Sequence, residues 1–234
     1  MTNALITGAT RGMGRAIAVA FAKQNFNLAV CARNADDLEA LRHELQQVNP
    51  AVKICAVVTN ISKKNEVLAF AGRAEQELGF INLIVNNAGL YHPSTMLDDD
   101  EETFDRMVNT NLMPAYTLYR YFGKTMMAAR QGHIFNICSS ASVIPVVEAG
   151  TYSVTKYALL GLNKVMRLEM QQYGVKVTAV IPGSTLTSSW QGTTIPAERF
   201  ILPDDIASAS VNTYGMSAGA NVDEITLMPA FGQL

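Results

Sequence analysis

Tyr152 and Lys156 stand four residues apart in Tyr152-Ser153-Val154-Thr155-Lys156, which puts both side chains on one face if the segment is helical. An ammonium beside a phenol stabilises the phenolate and draws a tyrosine down from its ordinary pKa of about 10. At ~4 Å and an effective dielectric of ~20 the attraction is about 4 kcal/mol, an upper guide of ~3 pKa units. A tyrosine tuned in this way exchanges a proton with an alcohol or carbonyl oxygen near neutral pH. The pair alone equally describes an ordinary amphipathic helix. Ser139 lies 13 positions before Tyr152 and follows the apolar run His133 to Cys138. At the carboxyl end of a strand its hydroxyl is placed to donate to a developing oxyanion. Ser140 is its rival for that role.

A second group of residues suits phosphate. Thr7-Gly8-Ala9-Thr10-Arg11-Gly12-Met13-Gly14 joins a short apolar strand to a helical pattern. The glycines allow a tight turn and close approach of a pyrophosphate, and the helix start offers free N–H groups. Its Gly-x3-Gly-x-Gly spacing departs from the commoner G-x-G-x-x-G. The end of the second strand reads Cys31-Ala32-Arg33-Asn34, with no acid before Asp36. A site for NAD usually carries a carboxylate here, for the ribose 2′-hydroxyl. Arg33 and Arg11 instead suit a 2′-phosphate through charge-assisted hydrogen bonds. NADP(H) is therefore the expected cofactor, with NAD(H) less favoured.

These residues must be carried by a regular scaffold, and the pattern supplies one. Strand-like runs at Ala4–Thr7, Leu28–Cys31, Val52–Val58, Ile81–Val85, His133–Cys138, Val175–Ile181 and Glu224–Met228 alternate with helix-like segments. The predicted helices include Asp36–Leu45, one capped by Ser62 and running to about Leu78, and one over Gly150–Tyr173. The acidic cluster Asp98 to Glu102 predicts the start of one long helix to about Ala129, where carboxylates suit the positive helix end. No metal site is expected. The rhythm implies an α/β fold: a Rossmann-type doubly wound parallel sheet of about seven strands with helices on both faces. With no linker, repeat or low-complexity stretch, one domain over 1–234 is expected.

Composition narrows the class. Of 234 residues, 49% are hydrophobic and 16% charged, which excludes a disordered chain. Eighteen basic against 20 acidic residues leave a formal charge of −2 and no generic attraction to nucleic acid or an anionic membrane. Cys31, Cys55 and Cys138 are odd in number and widely spaced, which points to a reducing, cytoplasmic compartment. Met1-Thr2-Asn3 runs straight into the first strand, so no signal peptide is expected, and no apolar run approaches the ~20 residues of a membrane span.

Taken together the motifs resemble the short-chain dehydrogenase/reductase family, in its shorter single-domain subtype. The resemblance rests on Thr7-Gly8-x3-Gly12-x-Gly14, Asn86-Asn87-Ala88-Gly89, Asn111, Ser139 with Tyr152-x3-Lys156, and Pro182-Gly183 followed by Thr187. It covers residues 4 to about 187, with a looser fit beyond at Pro203-Asp204-Asp205-Ile206-Ala207 and Val222-Asp223-Glu224-Ile225. The resemblance implies Tyr152 as general acid in carbonyl reduction and base in alcohol oxidation. It implies Lys156 on the nicotinamide ribose, tuning Tyr152, and Ser139 on the substrate oxygen. Asn111, favoured over Asn109 by its following Leu112, would hold a water of a proton relay. Asn87, Ala88 and Gly89 would line the cofactor, and Pro182, Gly183, Thr185 and Thr187 would lie at its nicotinamide end.

Three departures stand out. Asn60 replaces a frequent Asp in Asn60-Ile61-Ser62, the segment that would meet adenine, though its carbonyl can still accept from the amine. Cys138 replaces a frequent Ser and reads as a buried, inert thiol. Met228-Pro229 stands where many relatives carry a glycine pair, as in a group of NADP-dependent reductases of broad substrate range. Between Pro182-Gly183 and Pro203 the substrate flap of the family is short and holds the only tryptophan, Trp190. That implies an open pocket, with Tyr91, Val146, Glu148 and Trp190 as candidate walls and Glu148 disfavouring anions. Trp190 equally suits core filling.

The helices around Asn111 and Tyr152 carry Met107, Leu112, Tyr116, Tyr119 and Phe122, and Leu159, Leu160, Leu162, Val165 and Leu168. Helices apolar on more than one face pack deeply or against another subunit. The resemblance implies a four-helix contact, so a homodimer or homotetramer is expected. The function expected is NADPH-dependent reduction of a ketone, aldehyde or 3-oxoacyl group. Alternatives are oxidation of a sugar, polyol or steroid alcohol, and a non-catalytic NADP-sensing protein.

Overall fold

The computed structural model describes residues 1–234. Seven parallel strands form one sheet in the order β3-β2-β1-β4-β5-β6-β7. The strands are β1 (Thr2–Thr7), β2 (Phe26–Ala32), β3 (Ile54–Val58), β4 (Leu83–Asn86), β5 (His133–Ile137), β6 (Lys176–Pro182) and β7 (Glu224–Leu227). The helices are α1 (Gly12–Lys23), α2 (Ala35–Val48), α3 (Lys64–Leu78), α4 (Thr103–Asn111), α5 (Met113–Ala129), α6 (Gly150–Met170) and α7 (Pro203–Tyr214).

Period-two alternation divides the strand side chains between two cores. Ala4, Ile6, Leu28, Val30, Leu83, Val85 and Phe135 pack with the apolar faces of α1, α2 and α7. Their neighbours Leu5, Ala29, Cys31, Ile84 and Ile134 pack with α3, α5 and α6 on the other face. Because both faces are covered, the strands read as unbroken apolar runs instead of alternating ones. The chain reverses its direction of travel across the sheet between β3 and β4, so β1 and β4 are neighbours. The crevice above them is where open α/β sheets bind ligands. Buried asparagines fix α6 over this region: Asn86 donates to Asn136 at 2.8 Å, and Asn136 donates to Asn163 of α6 at 2.8 Å.

The structure corrects several boundaries. The long helix expected to end at Ala129 is broken at Leu112 into α4 and α5. Pro114 has no N–H for the Thr110 carbonyl and disfavours helical backbone before it. Ser62 does not cap α3, which begins at Lys64 after Lys63. Its hydroxyl instead donates to Asn60 Oδ1 at 2.8 Å, closing a turn, while Glu66 reaches back to the Asn60 amide at 2.6 Å. The helix expected to reach Tyr173 stops at Met170 and finishes in a 3-10 turn over Gln171–Tyr173, before left-handed Gly174. The acidic cluster does precede a helix. Asp100 accepts from the Thr103 hydroxyl at 2.7 Å and the Glu102 amide at 3.1 Å. No helix is long and apolar enough to cross a membrane.

His133 opens β5 at 2% exposure, stacked on Phe135 with ring centroids 4.2 Å apart. Its Nε2 meets the Thr178 hydroxyl at 2.8 Å, and Nδ1 has no partner. Burial, aided by the Lys176 charge, pushes its pKa down from 6.5 to about 3. Above pH 6.5 the ring is neutral folded and unfolded. Between 6.5 and about 3 only the unfolded chain takes the proton, so stability falls as pH falls. From pH 7 to pH 5 this one group should cost about 2 kcal/mol, at about 1.4 kcal/mol per unit. Urea unfolding at the two pH values checks this: His133→Phe, which keeps the stacking, should lose about 2 kcal/mol less over that interval than the wild type.

Candidate active site

The glycine-rich turn between β1 and α1 is built for close approach. Gly8 and Gly12 take left-handed backbone, φ 64° and 51°, which other residues adopt at a cost. A Cβ on Gly14 would lie 2.2 Å from the Gly8 carbonyl oxygen and 2.3 Å from Asn87 Nδ2. Asn87, just past β4, holds the turn. Its Nδ2 donates to the carbonyls of Thr7 at 3.0 Å and Gly8 at 2.9 Å. The Thr7 hydroxyl accepts from the Asn87 and Ala88 amides, both at 3.0 Å.

Over this turn runs a cavity of about 540 Å³, lined by Gly8, Thr10, Arg11, Gly12, Met13, Arg33, Asn60, Ile61, Asn87, Ala88, Gly89 and Thr187 among others. A second cavity of about 380 Å³ is lined by Ser139, Tyr152, Lys156, Pro182, Gly183, Thr185, Thr187, Tyr91, Val146 and Trp190. Met13, Asn87, Gly89, Leu90 and Thr187 belong to both, so the two form one groove along the carboxyl edge of the sheet. Each volume lies in the ~300–1,000 Å³ range of small-molecule sites.

The polar side chains converge at the junction. α6 carries Tyr152 and Lys156 on one face, with Lys156 Nζ 5.7 Å from the Tyr152 ring centroid. Lys156 is buried at 4% exposure, and Nζ donates to the Ile137 carbonyl at 2.9 Å. Ser139 follows β5. Its Oγ accepts from the Ala141 amide at 3.1 Å, which leaves its own O–H free to donate into the cavity. Its amide in turn donates to the Ser142 hydroxyl at 3.1 Å. Tyr91 packs edge-on against Tyr152, centroids 5.1 Å apart. Burial, then the nearby Tyr152 and Glu148, raise the Tyr91 pKa and keep its hydroxyl neutral.

Three expected site residues do not line the groove. Gly14 lies behind the turn, where its bare backbone admits the Gly8 carbonyl. Asn111 is buried at 3% exposure, and its side chain makes three hydrogen bonds. Its Oδ1 accepts from the Leu90 amide at 2.7 Å, and Nδ2 donates to the Leu90 carbonyl and Thr155 Oγ1, both at 3.0 Å. That amide ties the loop at Leu90 to α6. Glu148 is exposed outside the lining and acts only through its charge near Tyr91. Asn60 Oδ1, expected to accept from an adenine amine, already receives the Ser62 amide at 3.2 Å and hydroxyl at 2.8 Å.

At the ribose end, Arg11 is paired with Asp37 at 2.6 Å, whereas Arg33 lines the cavity without a salt bridge. Cys138 is 2% exposed, and burial pushes its pKa up to about 11. Arg106, Thr110, Ser184, Gln233 and Leu234 also line the groove and were not anticipated. Arg106 and Thr110 are four apart on α4, a helical-face signal that was available. The last three are joined only by tertiary folding.

The short chain dehydrogenase family profile matches residues 2–196, and the chain belongs to that family. It is 32% identical over 238 residues to a sepiapterin reductase of Chlorobaculum tepidum, covering 98% of this chain and 97% of that protein. Among solved structures, an alcohol dehydrogenase of the archaeon Thermococcus sibiricus complexed with 5-hydroxy-NADP superposes with a TM-score of 0.90 at 28% identity, covering 100% of this chain and 99% of that one. An L-sorbose reductase of Gluconobacter frateurii, complexed with NADPH and L-sorbose, gives 0.90 at 25% identity, covering 97% and 95%.

Asn111→Ala would leave the Leu90 amide and carbonyl and Thr155 without their partner. Loss of buried hydrogen bonds of this kind should lower unfolding free energy by about 2–4 kcal/mol. Denaturant unfolding of the variant checks this, and an unchanged midpoint would show that Leu90 is not held by this side chain.

Proposed function

We propose that the chain is an NADP(H)-dependent carbonyl reductase acting on a ketone or aldehyde. The observation that carries this reading is the convergence of Ser139, Tyr152 and buried Lys156 at the junction of a glycine-cradled cavity with a more apolar one. The residues fit the cofactor: the turn held by Asn87 brings Gly8 and Gly12 to the first cavity with no Cβ, and its glycines suit a pyrophosphate. NADP-bound family structures support the same cofactor.

When bound, NADPH supplies the hydride. The chain supplies position and a proton. Tyr152 gives its hydroxyl proton to the carbonyl oxygen, which becomes the alcohol O–H. Ser139, its lone pair already engaged by Ala141, donates a hydrogen bond to the same oxygen as charge develops there. Lys156, anchored by Ile137, places Nζ 5.7 Å from the Tyr152 ring centroid, where its N–H groups can meet the oxygens of the reacting centre. Gly89 leaves Nζ uncovered: a Cβ there would stand 3.7 Å from it. Asn111 acts as a positioning residue through Leu90 and Thr155. Tyr91, Val146 and Trp190 are the proposed walls for substrate.

Arg33 is the proposed partner of a 2′-phosphate. Arg11 can join it only by sharing Asp37, which offsets part of its charge. A homodimer or homotetramer is proposed, though on fewer residues than expected. Met107, Phe122, Leu159 and Leu160 are buried in the chain's own core, while Tyr116, Val165 and Leu168 remain exposed on α5 and α6. Residues 1–234 are proposed to act as one cytoplasmic domain.

Purified protein should consume NADPH with at least one of a diketone, an aromatic aldehyde, a 3-oxoacyl thioester, a keto sugar and a steroid ketone. Tyr152→Phe should reduce kcat by at least about 100-fold with NADPH binding retained, as general acids contribute 10²–10⁴. Turnover that survives this substitution would end the assignment of Tyr152. Separately, Arg33→Asp should weaken NADPH about 10-fold or more and favour NADH, by loss of one charge-assisted contact of about 1.5–3 kcal/mol. An unchanged affinity ratio in a binding titration would remove Arg33 from cofactor selection.

A further inference from the structure

The segment after β7 does not trail away from the sheet. Pro229 to Leu234 fold back over the loop that follows β6, and the contact is specific. The Ser184 amide donates to Gln233 Oε1 at 3.1 Å, and Gln233 Nε2 donates to Ser184 Oγ at 2.8 Å. The same hydroxyl donates to the Leu234 carbonyl at 3.3 Å. One side chain thus meets both the backbone and the hydroxyl of a residue that is itself only 6% exposed. The preceding residue has to be glycine. A Cβ on Gly183 would lie 2.4 Å from Gln233 Oε1, 2.9 Å from Met228 Sδ and 2.9 Å from Pro229 Cδ. The Gly183 amide is further tied to the Leu227 carbonyl at 2.8 Å.

The clamped loop is part of the groove. Gly183, Ser184 and Thr185 share the second cavity with Ser139 and Tyr152, and Gln233 and Leu234 line that same cavity. Tyr91 and Val146 line it as well. Leu234 therefore adds apolar surface to a pocket whose short flap supplies only Trp190 as a large apolar group between Ser188 and Gln191.

We propose that Pro229–Leu234 is a built wall of the substrate pocket: Gln233 latches the Gly183–Thr185 loop in place, and Leu234 sets the size of carbonyl compound that fits beside Tyr152. The proposal rests on the carbonyl-reductase reading for its substrate but not for its geometry. Gln233 is a positioning residue, and Leu234 a specificity-determining one that touches substrate. A single methylene in a hydrophobic pocket changes discrimination by about 10–200-fold, so the leucine side chain is ample to set a preference.

The experiment has two arms. In the first, kcat/KM is measured with a small aliphatic ketone and a bulky aryl ketone. Leu234→Ala should shift the ratio toward the bulky compound by about 10-fold or more, and Leu234→Phe should shift it the other way. Equal ratios in wild type and both variants would overturn the wall. The second arm needs no turnover. Trp190 is the only tryptophan and lines the same cavity, so acrylamide quenching of its fluorescence reports on closure. Gln233→Ala should raise quenching and speed hydrogen exchange at the Ser184 amide. Gln233→Glu, whose carboxylate can still accept from that amide and hydroxyl, should stay closer to wild type. Quenching and exchange unchanged in Gln233→Ala would overturn the latch. Failure of the wild type to reduce any ketone would sink the reductase reading alone, with the second arm still deciding the latch.

Discussion

A buried ammonium is the constraint around which this site is arranged. Lys156 is 4% exposed, and taking a cation out of water costs several kcal/mol unless its protons find acceptors. An ammonium has three N–H donors, and the protein supplies one acceptor, the Ile137 carbonyl at the end of β5. Lys156 also lines the second cavity beside Tyr152. The surrounding design follows from that need. Gly89 keeps side chain away from Nζ, and Asn111 sits just behind Gly89. The helix is broken after Asn111 by Pro114, and α4 packs against α6 through the Asn111–Thr155 bond. Thr155 closes the circuit by donating to the Tyr152 carbonyl at 2.8 Å, so the elements that bury the lysine also orient the tyrosine.

The cofactor end obeys a different rule. There Gly8, Gly12 and Gly14 leave no room for a side chain, while Arg11, Arg33, Asn60 and Arg106 line the rest of the cavity. The turn after β1 is held from β4, its neighbour at the switch point, by the two bonds from Asn87 and the two into Thr7. Gly12 meets the flap from the other side, since a Cβ there would stand 3.0 Å from the Thr187 methyl. The glycine turn, the Asn-Ala-Gly stretch and the flap threonine thus form one packed unit from three distant parts of the chain.

That difference explains what could be read before the structure. Residues whose role depends on local spacing were legible: Tyr152 with Lys156 on one helical face, the glycines after β1, and the apolar strands of a sheet covered on both sides. Ser139 and Ser140 both line the second cavity, and only geometry shows that the Ser139 hydroxyl is the one an Ala141 amide engages. Helix apolarity overstated the exposed faces, since Met107, Phe122, Leu159 and Leu160 pack inward. Asn111 was legible as a position but not as a contact. Its spacing fits the family, yet its three bonds to Leu90 and Thr155 are set by how α4 meets α6. Gln233 and Leu234 gave no local signal, because they reach the groove only after β7 has joined the sheet beside β6.

The two ends of the groove therefore differ in how freely they can vary. The cofactor cradle tolerates little at Gly8, Gly12 and Gly14, because a Cβ there would meet Ala88, Thr187 or the Gly8 carbonyl. The substrate end is assembled from single side chains on separate segments: Tyr91 before α4, Val146 before α6, Trp190 on the flap and Leu234 after β7. Each can change without disturbing the sheet, and each changes the shape of the cavity it shares with Ser139 and Tyr152. The second cavity thus takes its shape where the scaffold constrains sequence least, while buried Lys156 and the closed glycine turn stand where it constrains sequence most.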